Sequence, residues 1–138
     1  MFDKEEYERW IKQADYTLKS AKRDKDAKDF SWACFKAHQA AEFAIKALLY
    51  GLGIMSYGHS LKKLFEYLSQ KIEIPNEILR FAKILDRHYI PTRYPNAYYE
   101  GSPFEFYEEK DAEEAIKSAE SIINFIRDVA NDTIRRRN

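Results

Sequence analysis

A chain of 138 residues with 45% hydrophobic content can bury one adequate core, and no shift in composition divides it, so a single domain over residues 1–138 is expected. The 23 basic and 23 acidic residues cancel, which excludes a whole-molecule field that would hold nucleic acid or an anionic membrane without specificity; any anion site has to be local. The longest apolar run, Ala47 to Met55, is too short to span a bilayer, the first ten residues lack the order of a signal peptide, and the lone Cys34 permits no internal disulfide, so a cytoplasmic protein without membrane contact is expected.

Helical periodicity dominates the chain. From Asp3, the apolar positions Tyr7, Trp10, Ile11, Ala14, Leu18 and Ala21 recur at three and four, and Asp3 with Glu6 has the spacing of a capping box. A charged turn, "KRDKDAKD", leads into a second run, Phe30 to Leu49. It is apolar almost all round, and its six alanines (33, 37, 40, 41, 44 and 47) let neighbours approach closely, which marks it as the central helix. Gly51 and Gly53 are expected to end it. Leu61, Leu64, Phe65 and Leu68 predict a short third helix capped by Ser60, and Pro75 suits the first position of a fourth that carries Ile78, Ala82, Leu85 and Tyr89. The last stripe runs from Ala112 to Ala130, opened by Asp111 with Glu114. "FEFYE", beside Pro103, amounts at most to a small ribbon. The expected fold is all-α, an up-and-down antiparallel bundle of four to five helices.

Residues 85–107, "LDRHYIPTRYPNAYYEGSPFEFY", hold seven aromatics, three of the four prolines and two arginines. Pro91 and Pro95 push Ile90 and Tyr94 toward extended backbone, so the fourth helix should stop near Tyr89 and the stretch should fold back as a lid over one end of the bundle. A nucleotide site needs a cation for phosphate and an apolar slot for the base. Arg93 offers a planar, permanently charged fork, and Tyr89, Tyr94, Tyr98 or Tyr99 offer stacking faces. On the central helix Gln39, Glu42 and Lys46 form one polar stripe, with Glu42 in the favoured order for an ion pair with Lys46. If that stripe faces the aromatic segment, Glu42 would hold Arg93 and Lys46 would add positive charge. His59 precedes the third helix, where free backbone N–H groups could donate to a carboxylate or phosphate or the histidine itself acts as a cap. His38 is a packing histidine within reach of Glu42, and Cys34 a buried structural thiol. Three scattered histidines give no metal signature, and the four glycines match neither phosphate-loop pattern, so neither metal nor cofactor is expected. The basic tail "IRRRN" suits a helix C-terminus.

Three segments in order, "AHQAAEFAIKALLYGLG", "GHSLKKL" and "LDRHYIPTRYP", resemble the HEPN domain, the "higher eukaryotes and prokaryotes nucleotide-binding" family, and the resemblance covers essentially the whole chain. It implies a four- or five-helix bundle, frequent homodimerisation, and in prokaryotes pairing with a small nucleotidyltransferase, sometimes as a toxin–antitoxin couple. One branch of the family is proposed to bind nucleotides and another comprises metal-independent ribonucleases. The latter resemble one another in an arginine followed after four to six residues by a histidine. This chain departs from that pattern, since Arg80 precedes His88 by eight and Arg87 adjoins it. Eight positions rotate two helical side chains about 80° apart. The expected function is therefore a nucleotide-binding or accessory module, non-catalytic, with an ATP- or GTP-class ligand and Arg93, Arg87, Tyr94, Tyr89, Lys46, Glu42 and His59 as candidate binding residues. The alternatives are a pure interaction module, in which the aromatics form an interface, and a ribonuclease with an altered site in which Arg87, His88 and Arg93 regroup across a dimer and RNA is the substrate.

Overall fold

A computed structural model describes residues 1–137, most of them in five helices: α1 (Lys4–Asp26), α2 (Phe30–Gly51), α3 (Leu61–Leu68), α4 (Asn76–Asp86) and α5 (Glu109–Arg137). No strand occurs among the described residues. The central helix is α2, and its six alanines are fully buried. Their small side chains let α1 and α5 pack closely against it, while α3 bridges α2 and α4, and α4 leans on α5. Ile45, Leu48 and Leu49 of α2 meet Phe65, Leu85, Ile122 and Ile126 in one core, where each large apolar side chain contributes about 1.5–3 kcal/mol on burial. No described helix is long and apolar enough to cross a membrane. Cys34 is buried, and burial, with the nearby Asp111 and Glu114 charges, pushes its thiol up to about 12.

The helix ends follow local chemistry, with three departures from the sequence expectations. Asp3 accepts the Glu6 N–H at 3.0 Å, and Ser60 accepts the Lys63 N–H at 3.3 Å, as their capping roles require. Gly51 is the last helical residue of α2, with the Phe2 ring in the space of a side chain there, and Gly53 closes the helix at φ +75° with the Ile54 N–H donating to the Leu49 carbonyl. Pro75 is the cap residue before α4 rather than its first helical residue. The same helix stops at Asp86, short of Tyr89, where the backbone tightens into turns in which the His88 and Tyr89 N–H groups donate to the Leu85 and Asp86 carbonyls. Helix α5 begins at Glu109, ahead of Asp111, whose carboxylate turns back to accept the Glu108 N–H at 2.8 Å.

The connector between α4 and α5 contains two single 3-10 turns, Pro95–Ala97 and Pro103–Phe106. The second replaces the expected ribbon, since Ser102 and Glu105 form a capping box around Pro103. Tyr98 stacks on Phe106 at 4.4 Å and donates its hydroxyl to the Pro91 carbonyl at 2.9 Å, so the connector is cross-linked to itself as it returns over α2. In the basic tail, Arg135 and Arg136 pair with Asp132, and Asn138 lies outside the described residues.

Candidate functional site

Asp86, the last residue of α4, reaches the start of α3. Its Oδ1 accepts the Leu61 N–H at 2.8 Å and lies 3.1 Å from His38 Nε2; its Oδ2 accepts the Lys62 N–H at 3.1 Å and the Ser60 hydroxyl at 3.3 Å. Burial alone would push this carboxyl up, but the His38 bond and the two amides outweigh it and hold it below the usual carboxylate range. The free N-terminus of α3, a candidate phosphate seat in the sequence, is thus occupied by the protein's own carboxylate. His38 is fully buried, and its Nδ1 meets Gln39 Oε1 at 3.1 Å; its partners are Asp86 and Gln39, not Glu42. Joining these helix ends brings His59, two residues before Leu61, against Tyr89, three after Asp86. Their rings stack at 5.0 Å with planes 18° apart.

Glu42 lies beneath this stack, only 3% exposed. It accepts Lys46 Nζ at 2.9 Å, and His59 Nδ1 sits 3.1 Å from both of its oxygens. A carboxylate that already holds an ammonium accepts only, so the Nδ1 edge of His59 carries the proton and Nε2 points away. The Lys46 side chain is 12% exposed whereas that of His59 is 53% exposed, so a largely withdrawn ion pair orients a solvent-facing ring. The polar stripe of α2 therefore does face the aromatic segment, except that Gln39 turns to His38.

Arg93 does not pair with Glu42, whose oxygens are taken by Lys46 and His59. Its Nε donates to the Tyr89 carbonyl at 3.0 Å, joined by Nη2, and its guanidinium carbon stands 4.1 Å from the Phe35 ring centroid, 4.7 Å from Tyr89 and 4.9 Å from Tyr94. Each such contact is worth about 0.5–2 kcal/mol according to its exposure. Nη1 has no hydrogen-bond partner among the described residues. Tyr94 is 46% exposed at the rim, and Trp32, 48% exposed, stands edge-on to Phe35 at 6.2 Å.

One compact cluster thus gathers Glu42, Lys46, His59, Tyr89, Arg93 and Tyr94. Arg87 stays outside it, exposed at the end of α4, while Tyr98 turns to Phe106 and Tyr99 is wholly exposed. Arg80 faces Glu77 at 4.0 Å, and His88 lies edge-on to Tyr107 at 5.6 Å. Burial holds His88 below the ordinary histidine range against the opposing pull of Asp111, and its Nδ1 is enclosed without a partner. The residues that sequence reasoning missed are Phe35, which floors the guanidinium box, and Asp86. The signal for Asp86 was an acid in the last turn of a helix, where the macrodipole disfavours one unless it has a partner elsewhere. Among the described residues, no group of three or more His, Cys, Asp or Glu is placed to hold a metal ion. A groove of about 560 Å³ lies at the opposite end of α3, lined by Phe65, Ile72, Ile74 and Leu79 together with Glu66, Lys71 and Glu73.

The chain is similar to several known proteins. It is 38% identical to TT1696 from Thermus thermophilus, covering 88% of this chain and 96% of that one with a TM-score of 0.86. It is 42% identical to ST0689, an archaeal HEPN homologue, over 88% and 94% with a TM-score of 0.75. An HEPN domain protein of Thermotoga maritima, TM0613, is 33% identical over 89% and 98%, with a TM-score of 0.74. A curated relative, the toxin candidate MJ1304 of Methanocaldococcus jannaschii, is 27% identical over 128 residues, covering 86% of this chain and 84% of its own. The HEPN domain matches residues 7–129, and the chain belongs to the HEPN domain family.

Proposed function

We propose that the chain is a non-catalytic nucleotide-binding HEPN module that works as a homodimer beside a small nucleotidyltransferase and takes an ATP- or GTP-class nucleotide. The observation that carries this reading is the exposed His59 ring stacked on Tyr89, with the Arg93 guanidinium held against that same tyrosine. A flat ring pair serves a base, and a guanidinium with free N–H groups serves a phosphate. Lys46, its charge balanced by Glu42, anchors the carboxylate that orients His59. The likeness to a toxin candidate supports a place in a two-protein system with a partner. Titration of ATP and GTP against a sample of known mass should give saturable binding that Arg93→Ala and His59→Ala each weaken at least tenfold. Absence of binding by both nucleotides would sink the reading.

A second reading is favoured by the rim, where Trp32, Ile90 and Tyr94 are each about half exposed. Aromatic and arginine side chains in such a ring are characteristic of protein interfaces. On this reading Trp32→Ala lowers the mass in solution and no nucleotide signal appears. The ribonuclease alternative predicts metal-independent RNA cleavage that His88→Ala abolishes.

A further inference from the structure

We infer that the tip of the connector between α4 and α5 is a cation pocket, which receives a guanidinium from an arginine-bearing segment of another protein. It uses none of the residues gathered around Glu42 and His59, so it stands apart from the nucleotide reading. Tyr98, Tyr99, Glu100, Gly101, Glu105 and Phe106 line an open hollow of about 430 Å³. Three local devices fix its shape. Gly101 takes φ +86° under the Phe106 ring, where a Cβ would lie 2.9 Å from the ring tip. Ser102 donates its N–H to Glu105 Oε2 at 2.8 Å within the capping box. Tyr98 lies on Phe106 with the two planes 6° apart, and its hydroxyl is tied to the Pro91 carbonyl.

The chemistry of the lining selects the ligand. Rings and carboxylates border one space, and both attract a cation, the rings through their negative faces and the carboxylates through direct charge. In a chain of zero net charge, residues 94–109 carry four glutamates and no lysine or arginine. Lys110, just beyond them, is drawn to Glu108 at 3.5 Å, and neither Glu100 nor Glu105 has a basic side chain within ion-pairing distance among the described residues. Because the Ser102 amide engages Oε2 of Glu105, Oε1 is left to accept from outside. Phe106 stays about half exposed and Tyr99 wholly so, which leaves ring surface uncovered at the mouth of the hollow. A guanidinium suits this lining better than an ammonium, since it is planar, lies flat against a ring and directs paired N–H groups at a carboxylate. Sites for free small molecules enclose most of the ligand surface, whereas this hollow is open, so the cation arrives as the end of a side chain whose own protein covers the rest. The tip is already fixed, and little ordering is lost when it docks.

The test is fluorescence anisotropy of the full chain with a labelled peptide of alternating glycine and arginine, with its lysine and citrulline counterparts, and with arginine amide as competitor. Shifts of the Gly101 and Ser102 amide resonances locate the binding. The comparison variants are Glu100→Gln with Glu105→Gln, which keeps a carbonyl oxygen for the Ser102 N–H, Glu100→Gln alone, which leaves the capping box untouched, and Phe104→Ala, which removes an exposed ring outside the lining. We expect saturable binding of the arginine peptide that shifts those two amides. The citrulline peptide and the double variant should each lose at least tenfold in affinity, and Glu100→Gln alone at least threefold, with Phe104→Ala unchanged. Absence of binding, equal binding of the citrulline peptide, wild-type affinity in both glutamine variants, or shifts confined to other amides overturns the pocket. Equal binding of the lysine peptide overturns the choice of guanidinium. Arginine amide that competes as well, per arginine, as the peptide overturns the protein source in favour of a free guanidine compound. Self-association of the chain that the glutamine variants abolish overturns it in favour of a second copy.

Discussion

Asp86 Oδ1 lies 3.1 Å from His38 Nε2 while the same carboxylate accepts the Leu61 and Lys62 amides, so one side chain ties α2, α3 and α4 together. Removing it leaves a fully buried histidine and two helix-start amides without their partner. Asp86→Ala should therefore cost about 3 kcal/mol in denaturant unfolding, well beyond a surface change. The folded carboxyl titrates below its unfolded value of about 3.9. Its contribution is then complete above that value and lost as pH falls through the folded one. Wild type should lose this increment as pH falls below that unfolded value, and Asp86→Asn should show a shallower acid dependence. Identical acid profiles for the two proteins would remove the carboxylate from the account.

The Glu42 interactions predict which charge pairs are coupled. Glu42 and Lys46 are both nearly withdrawn from water, so Glu42→Gln should cost about 2 kcal/mol by leaving an ammonium without its counter-charge, and Lys46→Met should restore part of the loss. A double-mutant cycle should give a coupling of at least about 1 kcal/mol for Glu42 with Lys46, but under about 0.5 kcal/mol for Glu42 with Arg93, which share no bond. Recovery of stability in the exchange of Glu42→Arg with Arg93→Glu would contradict this assignment.

The bundle was legible because its signals are local. Alanines at helical spacing announced α2, and Asp3 and Ser60 announced two helix starts. The stripe carrying Glu42 and Lys46 was visible for the same reason, since spacing alone fixes which residues share a helix face. What spacing does not carry is the partner across helices. Glu42 met His59, 17 residues away, and His38 met Asp86, 48 residues away, and both pairings depend on how α3 is laid against α4. Arg93, part of the aromatic segment, was given the wrong partner. Its N–H groups found a carbonyl four residues back and its face found Phe35, contacts that require the connector's turn to be known first.

Lys28 marks a strained position. It closes α1 at φ 67°, in the left-handed region where a side chain costs about 1–2 kcal/mol and where glycine is at ease. The turn is held by the Asp29 N–H donating to the Asp24 carbonyl at 2.8 Å, so the conformation will persist after substitution. Glycine also gives the unfolded chain more freedom, which offsets part of the relief. Lys28→Gly should therefore raise stability by about 0.5–1 kcal/mol, read as an upward shift of the thermal midpoint, and Lys28→Ala should leave it nearly unchanged.

Gly51 and Phe2 predict a reversal of sign. A Cβ on Gly51 would lie 2.5 Å from the tip of the Phe2 ring, which is held in place by Tyr7 at 5.6 Å and by the Asp3 N–H donating to the Gly51 carbonyl at 2.8 Å. Gly51→Ala must displace that ring and the start of α1 with it, so it should destabilise by about 1–2 kcal/mol despite the better helix propensity of alanine. In a Phe2→Ala background the obstruction is gone, and the residue at position 51 is then simply the last of a helix, where alanine exceeds glycine by up to about 1 kcal/mol. The same substitution should therefore destabilise the wild type and stabilise the Phe2→Ala protein. Thermal or urea melts of the four proteins decide it, and additive effects would show that the ring does not rest on the glycine.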